Sequence, residues 1–179
     1  MKMKSIFTFA LLFVLITVCH AQTTKFAMTL GTDLGLSGKN YKIVTPNVSA
    51  TYDITPRLSA GVRAEDAITL MKAQGVKSYV QLFTLGGQVA YDVCHFMSII
   101  NVQARAIVGH TIGGGHDRGY MYYQGGIYTA SAKKDGVRSE IGLGVRYNDC
   151  RGDLYKDKAV FFVSYSVVLR KFTLISSWG

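Results

Sequence analysis

The stretch KFAMTLGTDLGL, residues 25–36, alternates with a period of two. Phe26, Met28, Leu30, Leu34 and Leu36 fall on one face, with Thr32 the only polar member. Lys25, Ala27, Thr29, Gly31, Asp33 and Gly35 fall on the other. That period over this length specifies a strand with two chemically different faces. The second face carries small residues and a rare charge, not the dense Lys/Glu of a solvated surface. It suits the inside of a narrow polar barrel whose apolar side meets lipid.

Upstream of this strand the chain reads as an export signal. Lys2 and Lys4 precede the apolar run Ile6–Val18, and Cys19-His20-Ala21 places a small residue before Gln22. The run is too short to span a bilayer, which takes roughly 20 apolar residues. Residues 1–21 are therefore expected to be a signal peptide cleaved after Ala21, and residues 22–179 the barrel domain. A lipoprotein signal ending at Cys19 is the rival, and Val18 stands where it needs a small residue. Removing Lys2 and Lys4 lowers the formal charge from +9 to +7. Only 17% of residues are charged and 49% are hydrophobic. Soluble domains usually carry about 25% charged residues. Cys94 and Cys150 remain in an oxidising compartment. The expected topology puts them at opposite barrel ends, out of reach of one another.

The same alternation recurs along the chain. A second strand ends at Ile54, and Thr55-Pro56-Arg57 makes a tight turn. A third strand starts at Leu58, with Ser59, Gly61, Arg63 and Glu65 on its polar face. Residues 66–77 break the pattern: Ala67, Ile68, Leu70 and Met71 have helical spacing, so a short helical loop or a plain loop is expected there. Strand four is expected over Ser78–Asp92, a turn over 93–96, strand five from Met97 to Gly109 and a Gly-rich loop over 110–119. Strand six, Tyr120–Ala132, has the weakest pattern. Asp135-Gly136 marks a hairpin. Strand seven, Val137–Tyr147, and strand eight, Ala159–Lys171, close the count at eight, separated by the charged loop 148–157.

Alternation alone does not say which face is wet, since a soluble lipocalin-like barrel is apolar inside. The glycines decide. Gly31, Gly35, Gly61, Gly86, Gly142 and Gly144 sit mid-strand on polar faces, where they weaken a solvated surface but make room in a narrow lumen. Long charged neighbours share those faces: Asp33, Arg63, Glu65, Arg105, Glu140 and Arg146. Three arginines and three acids on inward positions form a candidate lumen ion-pair network, because buried charges persist only when paired. Tyr52, Tyr91 and Tyr147 lie near strand ends on the apolar face, where interface aromatics of a membrane barrel sit.

The signal, the segment VSATYDITPRLSAGVRAE (residues 48–65) and the eight alternating segments resemble small OmpA/OmpX-type outer-membrane β-barrel proteins. The likeness spans nearly all of the mature chain and is one of pattern more than of strict motif. It implies an all-β, eight-stranded antiparallel up-and-down transmembrane β-barrel in the outer membrane of a Gram-negative bacterium. It also implies insertion by barrel assembly machinery, and a structural, adhesive or defensive role carried by outer loops. Such barrels often end on an aromatic residue. Phe172 or Trp178 fills that place here, and Thr173–Gly179 extends past the first.

Other chemistries are weaker. His110, His116 and Asp117 fall in one expected loop but lack the spacing of a metal site. Gly113-Gly114-Gly115 is not followed by the Gly-Lys-Ser/Thr of a phosphate loop. A lipid A-modifying enzyme needs a Ser and His with an orienting acid, and no convincing set exists around His110, Ser78 and Ser131. Neither catalysis nor a cofactor is expected. Lys39, Lys42, Lys72, Lys77, Arg118, Arg151, Lys156 and Lys158 give the outer loops a basic character. They suit lipopolysaccharide phosphates and carry no nucleic-acid footprint. The alternatives are a narrow passive pore and a soluble periplasmic barrel that binds an apolar ligand.

Overall fold

Strict two-residue alternation, with β-branched and aromatic side chains on one face, drives each segment into a strand that must pair on both edges. Full closure into a barrel removes the two edges that an open sheet would leave. The computed structural model does this. It describes residues 25–36, 41–73, 76–96, 99–112, 119–131, 136–150 and 158–170, so the expected signal peptide lies outside the described residues. Eight strands form: β1 (Phe26–Leu36), β2 (Tyr41–Asp53), β3 (Leu58–Ala73), β4 (Val76–Phe96), β5 (Ile100–Ile112), β6 (Tyr120–Ser131), β7 (Gly136–Cys150) and β8 (Lys158–Arg170). Each pairs antiparallel with its neighbours in sequence, and β1 pairs with β8 to close the barrel. No helix among the described residues is long and apolar enough to cross a membrane.

One end of the barrel, here the terminal end, carries the start of β1, the end of β8 and the turns after β2, β4 and β6. At the β2–β3 turn, Thr55 Oγ1 accepts from the backbone N–H of Leu58 at 2.9 Å and of Arg57 at 3.3 Å. The opposite, far end carries the connections after β1, β3, β5 and β7. Pro46 interrupts the β2–β3 ladder between Val44/Ile68 and Asn47/Glu65 without shifting the register, as expected of a residue with no N–H.

Three sequence expectations are corrected. Residues 66–73 are not a loop or a helix. They continue β3, with Ala67 and Thr69 buried inside while Ile68 and Leu70 point outward. The apolar spacing that mimics a helix turn mixes the two faces of the strand, inward Ala67 with outward Ile68 and Leu70. The turn expected at 93–96 is part of β4. A bulge between Asp92 and Cys94 leaves Val93 without a partner on β5, and one extra residue breaks the period that the sequence reading relied on. β5 is consequently displaced, running Ile100–Ile112, and His110 lies on its exposed face instead of in a loop. His116 and Asp117 lie outside the described residues. No disulfide joins Cys94 and Cys150, the first toward the terminal end and the second at the far end.

Candidate functional site

The inward faces build the most distinctive chemistry of the molecule. On β5 every second residue from Asn101 to Thr111 is buried and the intervening ones are more exposed. The same parity places Asp33 on β1, Arg63 and Glu65 on β3, Arg105 on β5, and Glu140 and Arg146 on β7 inside, all at most 9% exposed. The six come together in two groups.

The larger group joins four of them. Arg63 donates through Nη2 to Asp33 Oδ2 at 2.5 Å and through Nε to Glu65 Oε1 at 2.6 Å. Arg146 Nη1 donates to Glu65 Oε2 at 2.8 Å. Glu65 is therefore shared by two guanidiniums, and Thr84 Oγ1 adds a third donor at 3.1 Å. Gln124 Nε2 donates to Asp33 Oδ2 at 2.8 Å. Arg146 Nε donates to Asn148 Oδ1 at 3.1 Å, and its guanidinium carbon lies 3.9 Å from the centre of the Tyr122 ring. In the second group Arg105 Nη2 reaches both oxygens of Glu140, at 2.9 and 3.0 Å. Gln103 Oε1 accepts from the same nitrogen at 2.7 Å, and Ser166 Oγ donates to Glu140 at 3.1 Å. Arg105 also lies over Tyr128, 4.1 Å from the ring centre. Gln124 Nε2 to Tyr128 OH, at 3.3 Å, links the two groups. Three arginines thus face three carboxylates, and each carboxylate is within ion-pair distance of a guanidinium.

The sequence reading missed the two tyrosines inside. Tyr122 is 0% and Tyr128 1% exposed. The register explains how they fit. Tyr122 stands opposite Gly109 and Tyr128 opposite Gly142. A Cβ on Gly109 would lie 2.5 Å from the Tyr122 ring, and one on Gly142 would overlap the Tyr128 ring. Each ring therefore lies flat over a glycine of the adjacent strand, an arrangement that covers the weak point glycine makes in a sheet. Glycines at inward positions of β5 and β7 were the signal for an inward aromatic on β6. Ile107, Phe162 and Val160 add apolar bulk at the same inner face. Toward the terminal end Arg170 grips Asp53 with two bonds, at 2.6 and 3.1 Å. Asp92 accepts from Asn101 at 3.0 Å and from Gln103 at 2.9 Å.

The outward faces are the chemical inverse. Large apolar side chains stand exposed on every strand, among them Leu34, Tyr52, Val62, Val89, Val108, Ile127, Leu143 and Phe161. Tyr52 and Tyr91 point outward toward the terminal end, and Tyr147 points outward toward the far end, opposite Tyr123 in the register. Of the expected basic positions, Lys42 is exposed at the start of β2. Lys72, Lys77 and Lys158 occupy strand ends at the far end. Lys39, Arg118, Arg151 and Lys156 lie outside the described residues. His95 and His110 are exposed, and neither hydrogen-bonds a described serine or acid. No group of three His, Cys, Asp or Glu able to hold a metal exists among the described residues.

No protein-family model matches the sequence, and no curated protein matches it either.

Proposed function

We propose that this chain is an outer-membrane β-barrel of the OmpA/OmpX type, spanning the bilayer with its eight strands. Its lumen is closed by the Asp33–Arg63–Glu65–Arg146 and Arg105–Glu140 pairs. Its role is structural, adhesive or defensive and is exerted by the far-end connections, with the terminal end toward the periplasm. The observation that carries this reading is the inverted polarity. An apolar outer surface runs around all eight strands, and the ion pairs lie inside. A soluble monomer rarely exposes a contiguous apolar patch larger than a few hundred Å², whereas a membrane barrel needs such a band. A soluble barrel for apolar ligands calls for the opposite arrangement, an apolar cavity within.

Eight strands leave an interior just wide enough for side chains. With Tyr122, Tyr128, Phe162 and Ile107 beside the ion pairs, the interior favours a plug over a passive pore. Exposed Lys42, and the basic residues that the sequence places around the far-end connections, suit phosphate groups of lipopolysaccharide. Cell fractionation combined with gel mobility before and after boiling tests the reading. The expected result is recovery in the outer-membrane fraction with faster migration unboiled. Recovery wholly in the soluble periplasm would overturn it.

A further inference from the structure

Arg138 breaks the pairing rule of the interior. It points inward from β7 toward the terminal end and is 8% exposed, yet its Nε has no hydrogen-bond partner. None of the ion pairs among the described residues includes it. Glu140 is the next inward residue on its own strand, and Arg170, opposite Gly136, is one inward position away on β8; Asp92 on β4 and Arg105 on β5 also act on it electrostatically. Both acids are already engaged, Glu140 by Arg105 and Ser166, Asp92 by Asn101 and Gln103. The two neighbouring arginines are engaged only through their terminal nitrogens, so the Nε of Arg105 and of Arg170 are also without acceptors. Three guanidiniums at one end of the lumen therefore each keep an unmet donor.

Burying a cation without a partner is costly, and native interiors seldom leave such donors unmet. An oxyanion offers several acceptor oxygens at the spacing of a guanidinium fork. Solvent reaches this end, since the side chains of Arg170 and Asp53 are 12% and 24% exposed. We propose that the terminal end of the lumen is an anion-binding vestibule in which Arg138, flanked by Arg170 and Arg105, takes a small oxyanion of the phosphate or carboxylate type. Asp92 faces the same space and opposes multiply charged anions, so binding is weak and reversible. The vestibule requires only the closed barrel and stands apart from the role assigned to the far end.

The test uses the folded barrel in neutral maltoside micelles, titrated calorimetrically with inorganic phosphate and with acetate at constant ionic strength. Saturable binding of at least one anion is expected. Arg138→Gln should weaken it about tenfold or more, the effect of losing a charge-assisted hydrogen bond. Asp92→Asn should tighten it, and His110→Gln on the outward face of β5 should leave it unchanged. If Arg138→Gln does not fold, the Asp92→Asn result decides, because tighter binding there requires a site at this end. Competition by phosphatidylglycerol in mixed micelles would identify a lipid headgroup as the source of the anion, and its absence a soluble one. No saturation in the wild type, equal binding by Arg138→Gln, or equal weakening by His110→Gln would each overturn the proposal.

Discussion

Replacing Glu65 with alanine removes the acid that two arginines share. Arg63 keeps Asp33 at 2.5 Å. Arg146 loses its ion pair and retains only Gln124 Oε1 at 3.4 Å, Asn148 Oδ1 at 3.1 Å and the face of Tyr122. The six central charges change from three against three to three arginines against two acids. Leaving a buried charge without its counter-ion costs about 3–5 kcal/mol. The two guanidinium bonds lost, at roughly 1.5–3 kcal/mol each, give a similar range. That is a large share of a total stability of about 5–15 kcal/mol. Urea unfolding of the barrel refolded in micelles, followed by circular dichroism and unboiled gel mobility, measures the loss. Adding Arg146→Ala to Glu65→Ala should recover part of it, because the second change removes the stranded cation. The partly exposed Asp53–Arg170 pair serves as the control, and Asp53→Ala should cost less. A loss below ~1 kcal/mol for Glu65→Ala, the level of a surface pair, would refute the reasoning. So would a double variant as unstable as the sum of the single ones.

Three further outcomes are expected. Leu143→Arg, on the outward face of β7 and 64% exposed, should lower bilayer stability by about 2–4 kcal/mol at mid-depth; a barrel that tolerates it without loss of membrane insertion does not meet lipid there. Gly142→Ala should destabilise by about 1–3 kcal/mol through overpacking against Tyr128. Gly125→Ala, where a Cβ meets nothing within 4 Å, should be neutral or better; urea midpoints that rank the two the other way would show that Tyr128 does not occupy the lumen as described. In planar bilayers the wild type, Arg105→Ala and Glu140→Ala should all show negligible conductance, and discrete openings in either variant would favour the pore.

Much of the barrel is legible in the sequence because one physical signal, period-two alternation, repeats in every strand. It fails where that signal is masked. At Asp66–Leu70 small inward Ala67 and Thr69 alternate with outward Ile68 and Leu70, and apolar residues of the two faces read together imitate helical spacing. At Val93 a single bulged residue reverses the parity, so a strand end reads as a turn. The six central charges stand out because charges beside mid-strand glycines make poor sense on a solvated face. Asn47, Thr84, Gln103, Gln124 and Ser166, which complete their hydrogen bonds, do not stand out. Polar side chains on a polar face carry no mark of which acid they will meet until the register is known. Arg138 was equally hidden, since its distinction is the partner it lacks.

The inner bonds differ from the ladder in how far they reach along the chain. Hairpin pairing joins neighbouring strands, but Asp33 meets Gln124 across 91 residues and Glu65 meets Arg146 across 81, while Asp53 meets Arg170 across 117. None of these contacts can form in a sheet that is still open between β1 and β8. Their stabilisation arrives together, at the final step of assembly, and contributes little to the hairpins that precede it. Interactions that are absent from a transition state slow unfolding more than they speed folding. The bonds that cross the barrel thus act as a latch on the β1–β8 seam, slowing its opening more than they speed its closing.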